Sequence, residues 1–219
     1  MFKDAQDYLK YCPQCQLTQM VKLKAPIKRH IESAAPGETW VIDLLHYPSA
    51  QGYKYVLVAV DAYSRWTEVH PFENKKAETV AQALIQCVIT NTAGQPTLIV
   101  SDQGSEFKGE MAAAMELLRI EQRYTAAYRS EGHGLAEKCN RTLGDKLKSM
   151  VSQNDPQWHR ALPWAKLAHN NAIPRALSIG GEGITPAEVH LGRKLNLNIE
   201  ADMSSEESEQ SSRQPSVYL

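Results

Sequence analysis

Three early stretches of this chain, residues 39–47, 53–62 and 66–72, are apolar and rich in β-branched or aromatic residues. Such stretches form strands, and Ser49, Gln51 and Gly52 between the first two read as a turn. The short connection over residues 62–65 favours an antiparallel meander. The period then changes. Val80, Ala81, Leu84, Cys87 and Val88 recur at helical spacing within residues 77–90, and Gly94 and Pro96 break the pattern. A fourth strand is expected at residues 97–100, a helix at 107–118 and a short fifth strand at 120–125.

The remainder reads as helical. From about residue 134 to 151, Leu135, Cys139, Leu143, Leu147 and Met150 form one apolar stripe that should pack on the sheet. Asp155 with Pro156 marks an N-cap and first turn for a helix running to about residue 171, and Thr185, Pro186 and Glu188 spell a capping box. Trp158 and Trp164 are expected in the core. Three strands, helix, strand, helix, strand and then helices describe an α/β fold with a mixed sheet flanked by helices.

Composition narrows the function classes. At 219 residues the chain supports one well-buried domain with short appendages. No run of eighteen apolar residues occurs, so no membrane partner is expected, and the N-terminus lacks the apolar stretch of a secretory signal. An intracellular setting follows, in which Cys12, Cys15, Cys87 and Cys139 make a poor disulfide framework. The formal net charge of −1 hides an uneven distribution. From Glu200 onward five acids and one Arg give −4, leaving +3 for residues 1–199. Residues 16–30 hold Lys22, Lys24, Lys28 and Arg29 with no acid, which suits either phosphate contact or a solvated linker. The Ser/Glu/Gln-rich tail beyond Asn198 cannot bury enough apolar surface to order itself.

Three acids stand out. Asp43 interrupts Trp40, Val41, Ile42, Leu44 and Leu45, where a carboxylate is costly without a partner such as a cation. Asp102 ends a strand and opens Asp-Gln-Gly-Ser-Glu-Phe, in which Gly104 can let the backbone turn sharply. Glu137 lies off its helix's apolar stripe and shares a flank with Arg141 and Lys148. Converging carboxylates would repel by roughly 4 kcal/mol per pair at about 4 Å and an effective dielectric near 20. Hard oxygen ligands suit Mg²⁺ or Mn²⁺, and two such ions can clamp both oxygens of an in-line displacement at phosphorus. Spacing alone does not select this triple, since the chain has 25 acids.

The segments Trp40-Val-Ile-Asp43, Val58-Ala-Val-Asp-Ala-Tyr-Ser-Arg-Trp66, Ser101-Asp-Gln-Gly-Ser-Glu-Phe107, Gly134-Leu-Ala-Glu-Lys-Cys-Asn-Arg-Thr-Leu143 and Thr185-Pro-Ala-Glu-Val-His-Leu-Gly-Arg193 change that. In order, over residues 12–195, they resemble the integrase catalytic core of retroviruses and gypsy-type LTR retrotransposons. The resemblance implies a ribonuclease H-like fold with a five-stranded mixed sheet and a triad of Asp43, Asp102 and Glu137 holding two Mg²⁺ or Mn²⁺ ions. It further implies 3′-end processing and strand transfer of element DNA into target DNA. DNA and further copies of the chain would be the partners, and the nucleus the expected location. Asp61 matches a non-catalytic position and is expected at a strand end, held by a turn. Lys138, Arg141, Lys148 and His133 become candidate DNA contacts, with a solvated basic face and a plain loop histidine as the alternatives.

The chain also departs from the family. Thirty-four residues separate Asp102 from Glu137, one fewer than is usual, and residues 128–134 lack the usual Pro-Gln pair. Glu131 is the rival acid in that segment, but Glu137 has the matching neighbours. Cys12-Pro-Gln-Cys15 resembles half of the family's His-His-Cys-Cys zinc module. No histidine precedes His30, so Zn²⁺ is not expected. The expected organisation is a remnant of that module with a basic linker at 1–33, a catalytic core at 34–198 and an acidic tail at 199–219, consistent with a partial polyprotein product. A catalytically silent, integrase-derived binding domain is the alternative.

Overall fold

A computed structural model of the chain describes residues 31, 33–92, 94–125, 130–151, 157–179 and 182–195. The Cys12/Cys15 pair, residues 16–30 and the tail beyond Asn198 lie outside them. The first three strands, β1 (Thr39–Ala50), β2 (Tyr53–Asp61) and β3 (Thr67–Phe72), form the expected antiparallel meander. Strands β4 (Leu98–Ser101) and β5 (Glu121–Tyr124) join in parallel on the other side of β1. The order is therefore β3-β2-β1-β4-β5, with β1 central.

Alternation along β1 sorts its side chains between two cores. Trp40 and Ile42 face helices α1 (Ala77–Leu84) and α2 (Glu110–Leu117), in a buried cluster with Leu57, Val80, Leu84, Ile99, Met111 and Met115. Val41 points to the opposite face, where helix α3 (Ser130–Met150) lays Ala136 on Val41, Leu98 and Val100. Further along, Cys139, Leu143 and Leu147 of α3 pack with Val56, Val58 and Val60 of β2. Helix α4 (Trp158–Asn170) adds Trp158, Leu162 and Ala165 to that layer. Removing one such side chain, for example Leu143→Ala, would cost roughly 2–5 kcal/mol.

Several boundaries differ from the periodicity. Ser49 belongs to β1, and the hairpin turn is only Gln51 and Gly52, both at positive φ. The helical period of residues 77–90 is real, but Ile85–Thr90 close π-type rather than α-type turns. Helix α2 starts at Glu110 because Ser105–Phe107 form a 3-10 turn and Gly109, at φ 59°, separates the two. Helix α3 begins at Ser130, a turn earlier than the apolar stripe indicates. Helix α4 begins at Trp158 behind Gln157, without a side-chain cap, whereas Asp155 and Pro156 lie outside the described residues. Trp164 is 66% exposed, contrary to expectation, because it is 200° around α4 from buried Leu162. The Thr185 capping box is present and opens the short helix α5 (Pro186–Leu191). No helix among the described residues is long and apolar enough to cross a membrane.

Candidate active site

The parallel register brings the first two acids to one level. Val41 pairs with Val100, the last paired rung between β1 and β4. Asp43 lies two residues beyond Val41, and Asp102 two residues beyond Val100. Neighbouring strands run about 4.8 Å apart, so Asp43, still inside β1 and paired with Val58 of β2, lies level with the point where the chain leaves β4 and reaches Asp102. The carboxyl ends of parallel strands are where open α/β sheets bind ligands. By alternation Asp43 is on Val41's face, the one covered by α3.

Helix α3 reaches Asp43 through a residue whose role the sequence did not disclose. Asn140 Nδ2 donates to Asp43 Oδ2 at 2.7 Å, and the backbone N–H of Leu44 donates to Asp43 Oδ1 at 2.8 Å. Asn140 Oδ1 is buried and has no hydrogen-bond partner among the described residues. Glu137 lies three positions before Asn140, one turn away along the same helix, and is exposed. In the sequence Asn140 stands out only as one residue of the segment Gly134-Leu-Ala-Glu-Lys-Cys-Asn-Arg-Thr-Leu143. Its angular position, between the apolar stripe and the Glu137 flank, was the available signal.

Asp102 is half-buried, and its Oδ1 accepts from the Gly104 N–H at 2.9 Å. Gly104 was expected to supply a sharp turn, but its φ of −53° is open to any residue. Space is what it provides. A Cβ there would meet the Glu106 carboxylate at 2.8 Å, which is free to swing away, and Asp102 Oδ1 at 3.0 Å, which is not.

These placements give a donor set of hard carboxylates, the chemistry that a divalent cation of the Mg²⁺ or Mn²⁺ kind requires. The buried, unpartnered Asn140 Oδ1 beside Asp43 is a further acceptor suited to such an environment. Among the described residues, however, no group of three His, Cys, Asp or Glu side chains is close enough to hold a metal ion. The register sets Asp43 and Asp102 at one level of neighbouring chain segments, whereas Glu137 stands on the exposed flank of α3.

The remaining candidates divide cleanly. Lys138, Arg141 and Lys148 are exposed on α3, available to a polyanion. His133 and Glu131 belong to the first turn of α3, and their side chains lie outside the described residues. Asp61 is fully buried, as befits a strand-end acid held by a turn. It accepts from the N–H of Gly37 at 3.2 Å, from the N–H and hydroxyl of Ser64 at 3.0 and 2.5 Å, and faces His190 Nδ1 at 3.4 Å. Burial works against its charge, but the bonds from His190, Ser64 and Gly37 outweigh that and hold its carboxyl below the usual range. His190 is stacked on Trp66 at 5.2 Å, which pins α5 to the strand end.

Comparison with known proteins bears on the family and the fold. Residues 33–130 match the integrase core domain family, a span that includes Asp43 and Asp102 and ends before Glu137. The chain is 32% identical over 200 residues to the Gag-Pol polyprotein of avian reticuloendotheliosis virus, covering 89% of this chain and 17% of that protein. It is 29% identical over 184 residues to the Pol polyprotein of radiation murine leukemia virus, strain Kaplan, covering 83% of this chain and 30% of that one. The chain thus spans less than a third of these polyproteins. Its fold is similar to a chain of the simian T-cell lymphotropic virus intasome in complex with PP2A regulatory subunit B56 gamma. There the TM-score is 0.66 at 20% identity, over 90% of this chain and 69% of the other. The HTLV-2 integrase catalytic core domain, solved in complex with magnesium in a trimeric form, gives 0.59 at 21% identity, over 73% and 99%. Fold and sequence match together place this chain in the integrase core domain family of retroviral Pol polyproteins, with the ribonuclease H-like mixed sheet of its catalytic cores.

Proposed function

We propose that this chain is the catalytic core of a retroelement integrase, which trims the 3′ ends of element DNA and joins them to target DNA with the help of two Mg²⁺ or Mn²⁺ ions. The observation that carries the reading is the parallel register that brings Asp43, within β1, level with Asp102 just beyond the end of β4, under a helix that touches Asp43 through Asn140 and carries Glu137 one turn away. Asp43, Asp102 and Glu137 would hold the ions. Bound there, the ions would polarise a phosphoryl oxygen and activate a water or a DNA 3′-hydroxyl as nucleophile. The protein's own share is orientation. Asn140 and the Leu44 N–H fix the direction of the Asp43 carboxylate, and the Gly104 N–H fixes that of Asp102. Exposed Lys138, Arg141 and Lys148 would contact DNA phosphates, a sequence-independent term that weakens with salt. Further copies of the chain would complete the working assembly, by analogy with the trimeric form of the similar HTLV-2 core.

A strand-cutting assay on a branched DNA substrate with Mn²⁺ tests the reading. Asp43→Asn and Asp102→Asn should each abolish cutting, and activity that survives Asp102→Asn refutes it. The rival is an integrase-derived domain that binds nucleic acid without catalysis, favoured by the absence of a three-carboxylate cluster among the described residues. Under that rival, calorimetry would find no Mn²⁺ uptake dependent on Asp43.

A further inference from the structure

Strand β4 supplies only four residues, so Asp102 stands beyond it at the head of a loop, where a carboxylate has rotational freedom unless something removes it. Strand β5 and Thr125 just after it brace both ends of that loop. At one end the Ser101 carbonyl accepts from the Thr125 N–H at 2.8 Å and from the Thr125 hydroxyl at 3.2 Å. At the other, the Phe107 carbonyl accepts from Gln122 Nε2 at 2.8 Å and from the Tyr124 hydroxyl at 3.0 Å. Gln122 and Tyr124 are two positions apart in β5, so both project to the same side of the sheet. The Phe107 ring is 1% exposed in the core beneath, which holds the residue from the other direction.

From Phe107 the hydrogen bonds continue to the acid itself. The Phe107 N–H donates to the Gly104 carbonyl at 3.2 Å, and the Gly104 N–H donates to Asp102 Oδ1 at 2.9 Å. The series therefore runs from two β5 side chains, through Phe107 and Gly104, to a carboxylate oxygen. Gln122 is also an expensive choice for a purely structural tie. Its Oε1 is buried without a partner among the described residues, a loss that an apolar residue of similar size would avoid.

We propose that Gln122 and Tyr124 are positioning residues for Asp102, setting the direction of its carboxylate and hence the affinity for a divalent cation there. This rests on the reading of Asp102 as a metal ligand. The experiment is Mn²⁺ titration calorimetry on the full chain, alongside metal-free thermal unfolding, for wild type, Tyr124→Phe, Gln122→Leu and the double variant. Tyr124 is 39% exposed and Tyr124→Phe removes only a hydroxyl, so that variant keeps its fold. Outer partners of metal ligands typically change affinity by about 10- to 100-fold; acting at two removes, each single change should weaken Mn²⁺ binding about fivefold and the double change at least about tenfold. The metal-free Tm of Tyr124→Phe should match wild type. Wild-type Mn²⁺ affinity in the variants, with or without a lowered metal-free Tm, overturns the positioning role while leaving Asp102 a ligand. A wild-type chain that takes up no Mn²⁺ overturns the ligand reading and this proposal with it.

Discussion

Replacing His169 should remove a pH dependence that the fold builds into the packing of α3. His169 lies in the last turn of α4, with Nε2 3.6 Å from Cys139 Sγ on α3, and its Nδ1 is buried with no partner among the described residues. Burial, and secondarily the charge of Lys146, push its imidazole down from 6.5 to about 4. Burial likewise pushes the Cys139 thiol up to about 11, against a hydrogen bond with Thr67, so this contact is between neutral groups at pH 7. The unfolded chain takes up the histidine proton before the folded one does. The resulting stability is fully present above about pH 6.5 and is lost as pH falls toward 4. At about 1.4 kcal/mol per pKa unit the whole difference is about 3 kcal/mol, of which about 2 kcal/mol disappears between pH 7.5 and 5. Urea unfolding of wild type and His169→Gln at pH 7.5, 6.5, 5.5 and 5 measures it. Groups titrating in both proteins cancel, so wild type should lose about 2 kcal/mol more than the variant over that range. Parallel loss in the two proteins would refute the burial argument. Because Cys139 is next to Asn140, the same protonation should loosen the helix that carries Asn140 and Glu137.

Two further outcomes follow from single contacts. Asn140→Ala removes the donor to Asp43 Oδ2 together with the unpartnered Oδ1, so metal-dependent strand cutting should fall about tenfold while Tm stays within a few degrees of wild type; full activity in that assay would exclude Asn140 from orienting Asp43. In the β1–β2 turn, Gln51 at φ 52° precedes Gly52 at φ 93°, the left-handed pair that Asn-Gly occupies with least strain. Gln51→Asn should raise unfolding stability by about 0.5 kcal/mol in urea, even after loss of the exposed bond from Gln51 to Gln157; a lower midpoint would contradict the turn assignment.

Much of the fold was legible because short-range patterning controls it. The apolar, β-branched and aromatic runs of residues 39–47 and 53–62, the Cys139/Leu143/Leu147 stripe and the Thr185 capping box each depend on neighbours within a turn or a strand, and each is where the pattern puts it. Boundaries failed where something non-local decided them. Gly109 and the 3-10 turn delay α2 because the chain must first seat Phe107 in the core. Trp164 is exposed because one face of α4 is already filled by Trp158, Leu162 and Ala165. Gly104 was read as a turn residue, although its requirement is space beside Asp102.

From the sequence alone came the strand that carries Asp43, the strand that ends just before Asp102 and the helix that carries Glu137, together with the resemblance that singled those acids out. Local periodicity and side-chain chemistry suffice for that, since a strand or helix turns on residues at most four apart. Only the folded chain decided that β4 joins β1 in parallel, which brings Asp43 level with Asp102 across a separation of 59 positions, and that Asn140 donates a hydrogen bond to Asp43. Strand pairing of that range is chosen by how two cores close on opposite faces of one sheet, a condition that no stretch of sequence carries by itself.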